Sequence, residues 1–595
     1  MLKFVVLIIL IQITTSLIIS GAKFIASKLL NNEINIVFAY SGGTNLKLLD
    51  ELNNNNIKIY TNRNEQFSGY SSEAYSKVSK KLGVLLTTSG PGITNAITPI
   101  QDAYSDGIPL LIISGQVPKN KLGTSSFQEC DATSITKSCV KKNILIKDIK
   151  TLIENFDNMV LLCLENRKGP VHLDICLNVF YEEYNLNQEE ILKLNKPLFF
   201  IKKKNYLKKK IYNDMILYDK YINVLKNLKE CSKPIVIVGQ GVNNNYELMR
   251  KFIEEFNLPV CSTLHALGSC DSEKNNYLGM LGMHGTYQAN KAVYESDFII
   301  GIGNRFDDRT IGKLETFGII AQKKFGIVHV DNSIKQINEV KEIVNPNISI
   351  HDDSENFFNK MLFLKKKYGF EADKFKTLNV INIIKNVYNP TQLNKKDNKL
   401  TIPIILNKLS AFLNKKKINP IITTGVGVHQ MQVAQYYNFK KPMNLITSGS
   451  QGTMGVGLPF AIGAQICEPD KLVICIDGDG SFQMSSSDLI TLKQYNLPVK
   501  ILIMDNKKLK MVHYWQEKFL NSRFTASEFI NPDFVKLGES CGIESFSTSI
   551  IDDLNFLFDK LIESNNPLLI HFNVEDVDCL PFVPPNNSLN DMILN

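Results

Sequence analysis

DGDGSFQMSSSDLITLKQYNLPVKILIMDN, residues 477–506, decides how the chain is read. An apolar run ends in Gly478-Asp479-Gly480, a helical pattern follows, and a second apolar run ends at Asp505-Asn506. Parallel neighbouring strands would set Asp479 and Asn506 side by side at their carboxyl ends. A carboxylate, an amide oxygen and a backbone carbonyl form a hard oxygen site suited to Mg²⁺ that also holds phosphate oxygens. The glycines let backbone approach such a group, and a helix N-terminus faces its charge. Gly-Asp-Gly alone would be a weak signal and could be a tight turn with chance acids. Followed by 25 residues and an Asn that closes the next strand, it is strong.

Outward from this stretch the same rhythm of apolar strand, glycine turn and amphipathic helix fills three segments. The first holds NIVFAYSGG, KIYTN, GVLLTTSGPG, LLIISGQ and VHLDIC. The second holds PIVIVGQGV, DFIIGIGNRF and FGIVHVDN, and the third IITTGVG, NLITSGSQG, LVICIDGDGSF and LLIHFNV. Short apolar strands alternating with helices predict an α/β chain of three doubly wound parallel-sheet domains. The expected boundaries are 21–185, 231–362 and 401–595, joined by Lys/Asn-rich linkers at 186–230 and 363–400. No GxGxxG opens the first domain and no GxxxxGK[ST] occurs, which disfavours a Rossmann dehydrogenase or a P-loop NTPase.

Composition sets the outer limits. A chain of 595 residues with 44% hydrophobic residues builds full cores, and a net charge of +8 is modest for that length. The lysine clusters lack interleaved aromatics, so they read as solvated faces and no nucleic-acid partner is expected. Eleven cysteines without a CxxC pair argue against a zinc site and for a reducing compartment. Residues 1–20, MLKFVVLIILIQITTSLIIS, resemble a signal or targeting segment. A targeted organelle such as a plastid reconciles that segment with the cysteines; a cytoplasmic or membrane-anchored protein is the alternative.

The 477–506 stretch resembles the metal-diphosphate motif of thiamine diphosphate enzymes. From about residue 21 onward the chain is similar to the catalytic large subunits of the acetolactate synthase (acetohydroxyacid synthase) family. TSGPGITN, PLLIISGQVP, FQE at 127–129, LGMLGMHGT, RFDDRTIGKLE, TSGSQGTMGVGLPFAIGA, the MV…YW of KMVHYWQEKF and the tail PFVPPNNSLNDMI carry the likeness. The resemblance implies decarboxylation of pyruvate and condensation of the two-carbon unit with pyruvate or 2-oxobutyrate. Thiamine diphosphate, Mg²⁺ and FAD are the implied cofactors. The three domains become pyrimidine-binding, FAD-binding and diphosphate-binding.

Site residues follow by matching. In RNEQFSGY, residues 63–70, Glu65 would otherwise be an ordinary first-turn acid. Here it matches the carboxylate that hydrogen-bonds the cofactor's aminopyrimidine and assists removal of the thiazolium proton. Asp479, Asn506 and the backbone of Lys508 match the metal ligands. Gly42, His429, Gln430, Gly478, Gly480 and Ser481 match cofactor-binding positions, and Met454 matches the apolar wedge that bends the cofactor. Gln128 would meet the reacting oxygens, and Met511 falls within the catalytic set. Arg305 would greet the carboxylate of the second 2-oxo acid, and Trp515, the single Trp, would favour the larger one. Arg167, His284, Arg305, Asp331 and Asp353 match flavin-contacting segments. The two ends of the cofactor belong to different subunits in this family, so a homodimer or dimer of dimers is implied, and a small regulatory subunit is common.

The chain departs from the family pattern at Ser41, Asn64, Phe67, Cys176-Leu177-Asn178, Val428, Asp505 and Lys510. Two other readings fit less of the chain: another thiamine-dependent decarboxylase or carboligase, or a non-catalytic FAD-binding homologue.

Overall fold

The computed structural model describes residues 17–197, 214–370 and 399–594. These fall into two compact units: residues up to 197 together with Ile462–Cys467, and those from 214 onward without that stretch. Three six-stranded sheets, each wholly parallel, organise them.

The first unit holds β1 (Leu17–Ser20), β2 (Ile36–Ala39), β3 (Lys58–Tyr60), β4 (Gly83–Thr87), β5 (Leu110–Gln116), β6 (Lys142–Ile146), β7 (Val171–Cys176) and β8 (Glu183–Leu186). Its main sheet runs β3-β2-β4-β5-β7-β6, while β1 and β8 form an antiparallel pair. Leu111 and Ile113 enter one core and Leu110 and Ile112 the other, because a strand turns successive side chains to opposite faces. A sheet covered on both sides therefore needs the near-continuous apolar runs that the sequence displays.

The second unit holds two such sheets. One is built from β9 (Pro234–Val238), β10 (Val260–Ser262), β11 (Tyr277–Met280), β12 (Phe298–Ile302), β13 (Ile327–Asp331) and β14 (Ile348–His351), in the order β11-β10-β9-β12-β13-β14. The other comprises β15 (Ile421–Thr424), β16 (Leu445–Ile446), β17 (Val473–Gly478), β18 (Lys500–Asp505), β19 (Glu544–Thr548) and β20 (Leu568–Asn573), in the order β16-β15-β17-β18-β20-β19.

In every sheet the chain first winds one way and then crosses back. The reversals lie between β2 and β4, between β9 and β12, and between β15 and β17. At such switch points the loops splay apart and open a crevice at the carboxyl ends of the strands. The glycine turns found in the sequence lie at these three places.

The boundaries drawn from composition need correction. Residues 17–20, counted with the targeting-like segment, form β1 and bury Ile19. The stretch 186–230 contains the helices Gln188–Asn195 and Asp214–Glu230, and the second buries Tyr221, Val224, Leu225 and Leu228 in the central core. Its apolar residues recur at helical spacing among lysines and asparagines, which masked the periodicity. The helix Ser354–Tyr368 likewise runs past residue 362. Residues 1–16, 198–213 and 371–398 of the targeting-like and linker stretches lie outside the described residues. Among the described residues no helix is long and apolar enough to cross a membrane.

Candidate active site

The third sheet builds its site at the β15/β17 reversal. A methyl group at Gly425 would lie 2.0 Å from Ser481 Oγ and 2.1 Å from Asp477 Oδ1, and one at Gly478 would lie 2.7 Å from His429 Nδ1. Only glycine lets these turns close. Beside the crevice His429 Nε2 lies 3.2 Å from Asp477 Oδ1, while two buried oxygens, Asp477 Oδ2 and Gln430 Oε1, have no hydrogen-bond partner among the described residues. Uncompensated buried polar atoms are costly, and their convergence marks a place for a polar ligand. Ser481 Oγ accepts a 2.9 Å hydrogen bond from Gly455 N, which ties the Met454 turn to the Gly-Asp-Gly turn. Met454 itself is half-buried, between Gly452 (φ +63°) and Gly455 (φ +77°).

The oxygen cluster predicted from spacing lies next to this crevice. β17 and β18 pair with Gly478 opposite Met504, which brings Asp479 beside Asp505 and Asn506. Asp479 Oδ2 accepts from Lys507 N at 2.8 Å and from Asn531 Nδ2 at 2.7 Å; the same Asn531 amide donates to Asp505 Oδ1 at 2.7 Å. One amide donor thus sits between two carboxylate oxygens, where positive charge is favoured. Burial pushes the Asp479 carboxyl up to about 7, and the nearby Asp505 charge adds to this against the Asn531 hydrogen bond. Burial acts on Asp505 in the same sense, but the His571 imidazole, 2.9 Å from Oδ2, and the contact with Asp479 hold it below the usual range. Asn506 Oδ1 accepts from Lys508 N at 3.2 Å, and its Nδ2 donates to Asp576 Oδ1 at 3.0 Å.

In the first unit Glu65 opens the helix Glu65–Ser79 and is buried, 7% exposed. Asn64 caps that helix by accepting from Gln66 N at 2.8 Å. Glu65 Oε2 accepts from Asn95 Nδ2 at 3.0 Å, leaving Oε1 about the β2/β4 reversal, 3.6 Å from a methyl placed on Gly92. Gly42 lies in the opposite turn, with no room for a methyl against Thr88, 2.5 Å away. Gln128 has a left-handed backbone (φ +60°) in the loop after β5.

Three family descriptions match in order: "Thiamine pyrophosphate enzyme, N-terminal TPP binding domain" over 19–135, "central domain" over 222–361 and "C-terminal TPP binding domain" over 425–572. The chain is 36% identical to "Acetolactate synthase, mitochondrial" of Schizosaccharomyces pombe, covering 97% of this chain and 86% of that protein. It is 34% identical to "Acetolactate synthase catalytic subunit, mitochondrial" of Saccharomyces cerevisiae, over 97% and 84%. Against "Acetolactate synthase isozyme 2 large subunit" of Escherichia coli it is 31% identical, over 96% and 99%. The chain belongs to the acetolactate synthase family.

As an acetolactate synthase family member it carries a thiamine pyrophosphate fold at both ends, and its central sheet has a third crevice. There Gly239 and Gly241 press on Gly303 so closely that a methyl on Gly239 would lie 2.2 Å from Gly303 O. Asn304 Oδ1, buried beside them, has no hydrogen-bond partner among the described residues. Asp331 closes β13, accepting from Ser333 N at 2.8 Å, and Asp353 caps the helix Ser354–Tyr368. His284 is buried and stacked on Phe582 at 5.2 Å; burial drives its imidazole down to about 4. Arg167, in the first unit, donates to Ser105 O.

Arg305 donates to Ser450 Oγ at 2.6 Å and lies 3.9 Å from Asp307 Oδ2. The Arg309 guanidinium lies 5.9 Å from the Trp515 ring. Trp515 packs with Tyr514, Leu580 and Phe582, and its buried Nε1 has no partner. Met511 is half-buried on the same helix, Lys510–Phe519. Lys510, one of the departures from the family pattern, turns its ammonium to Asp576 (3.4 Å) and Asp578 (3.8 Å). Asn95 stood within TSGPGITN without an assigned role, and sequence reasoning missed Asn531, His571 and Asp576. Each acts from a distant segment, and no local motif announces such a partner.

Proposed function

We propose that this protein is a working acetolactate synthase. It decarboxylates pyruvate and joins the two-carbon unit to pyruvate or 2-oxobutyrate, giving 2-acetolactate or 2-aceto-2-hydroxybutyrate for branched-chain amino-acid synthesis. The observation that carries this reading is the β15/β17 crevice, with its glycine walls, unpartnered polar atoms and adjacent oxygen cluster. Near full-length similarity to acetolactate synthases supports it.

The donors fit the implied groups. Asp479, Asn506 and the Lys508 backbone would hold Mg²⁺, an oxygen set that a hard cation prefers. Gly478, Gly480, Ser481, His429 and Gln430 would line the diphosphate. Bound thiamine diphosphate would supply the electron sink that lets pyruvate lose CO₂. Glu65, buried and with one oxygen held by Asn95, would share a proton with the aminopyrimidine nitrogen. Met454 would hold the bend of the cofactor, and Gln128 would hydrogen-bond the reacting oxygens. Arg305 would meet the second substrate's carboxylate with its planar fork, and Trp515, with the Arg309 guanidinium 5.9 Å from its ring, would favour the larger acid. His284, Arg305, Asp331 and Asp353 would belong to an FAD site whose phosphates would meet the Gly239/Gly303 turns. Lys510 is drawn to Asp576 and Asp578, which supports retained activity despite its bulk.

A homodimer sharing its active sites between subunits follows from the same reading, with a regulatory subunit as a further partner. The fission-yeast and budding-yeast relatives are named mitochondrial and the tobacco relatives chloroplastic, which supports an organelle reached through an amino-terminal targeting segment. The test is product analysis with pyruvate, thiamine diphosphate, Mg²⁺ and FAD. Acetolactate supports the assignment; acetaldehyde alone would make the protein a decarboxylase, and no turnover with FAD bound would make it a non-catalytic homologue.

A further inference from the structure

Beneath the loop that carries Gln128 lies a ladder of four side chains, Ser114, Gln116, His172 and Asp174, all buried and spread over β5 and β7. Ser114 Oγ donates to Asp174 Oδ1 at 2.6 Å and lies 2.7 Å from His172 Nε2. The other ring nitrogen of His172, Nδ1, lies 3.0 Å from Thr136 Oγ1, whose hydroxyl donates to Ala132 O at 2.8 Å. Asp174 Oδ2 accepts from Gln116 Nε2 at 3.0 Å. The other Nε2 proton reaches Cys130 O at 2.8 Å, and Gln116 Oε1 accepts from Val117 N at 2.8 Å. The amide of Gln116 is thus fully committed, and flipping it would strand buried groups.

These bonds reach the loop at its two ends, Val117 and Cys130. Lys119 N donates to Asn178 Oδ1 at 3.0 Å, and Glu129 gathers the amides of Gly123 and Ser126. Gln128, two residues before Cys130, backs onto Gly90, where a methyl would lie 3.1 Å from its Cα.

We propose that Asp174 and Gln116 are positioning residues for Gln128. Asp174 orients the Gln116 amide, and that amide fixes the loop through Cys130. The inference rests on the reading of Gln128 as the residue that meets the reacting oxygens.

A double-mutant cycle separates this role from a general structural one. Gln128→Ala is expected to lower kcat/KM for pyruvate about tenfold or more, since one lost hydrogen bond or a 1 Å misplacement is that costly. Asp174→Asn and, separately, Gln116→Met should each cost about tenfold in the native background and less than about twofold in the Gln128→Ala background. Each comparison is made on protein verified as folded by its thermal transition, and the second variant serves where the first fails to fold. Equal losses in both backgrounds would overturn the positioning role while leaving Gln128's role intact. No loss from Gln128→Ala would overturn the reading of Gln128 and this inference with it.

Discussion

At the residue scale, the chemistry depends on carboxylates removed from water. Asp479 would be a metal ligand at a place where an amide donor already bridges it to Asp505. Replacing it by Asn removes a charge from that set. The Mg²⁺ concentration for half-maximal activity should then rise about 10- to 100-fold, by the strength of a charged contact, as a metal titration would read. Asp174 offers a test by pH. Burial lifts its carboxyl to about 6, above its ordinary value of 3.8, so between those values the folded state binds more protons than the unfolded one. Stability must therefore fall as pH rises through that window, by about 3 kcal/mol when ionisation is complete. Between pH 5 and 7 the urea midpoint of the native protein should drop relative to that of Asp174→Asn; a constant difference would remove Asp174 as the cause.

At the scale of elements, glycine turns and strand ends decide the sites. Gly425 and Gly43 make a matched pair, since a methyl at Gly425 meets Ser481 and Asp477 whereas one at Gly43 meets nothing within 4 Å. Gly425→Ala should cost about 1–3 kcal/mol by overpacking and abolish thiamine diphosphate binding, while Gly43→Ala should change neither, as calorimetric titration and thermal unfolding would show. The elements also explain what sequence could deliver. Strands such as LLIISGQ were plain because both faces are apolar, and the Gly-Asp-Gly turn because its spacing to Asn506 is local. The helix Asp214–Glu230 was hidden by its lysines and asparagines. Asn531 lies 26 residues beyond Asp505 and bonds it only once the chain has folded back.

At the scale of the whole molecule, one chain carries Glu65 on its first sheet's crevice and Asp479 on its third. If a dimer shares its sites, neither Glu65→Gln nor Asp479→Ala protein should turn over alone. A re-equilibrated equal mixture should recover about a quarter of native activity, because half the dimers are mixed and each holds one intact site of two. Recovery near zero would place both residues in the same subunit's site. The most direct measurement of all is acetolactate formation from pyruvate by the purified protein, native beside Glu65→Gln, with thiamine diphosphate, Mg²⁺ and FAD saturating. The expected result is steady product from the native chain and a loss of about 10²- to 10⁴-fold in the variant, the range for removing a proton-transfer group. Native turnover that Glu65→Gln leaves unchanged, or a native chain that forms no acetolactate, would contradict the account.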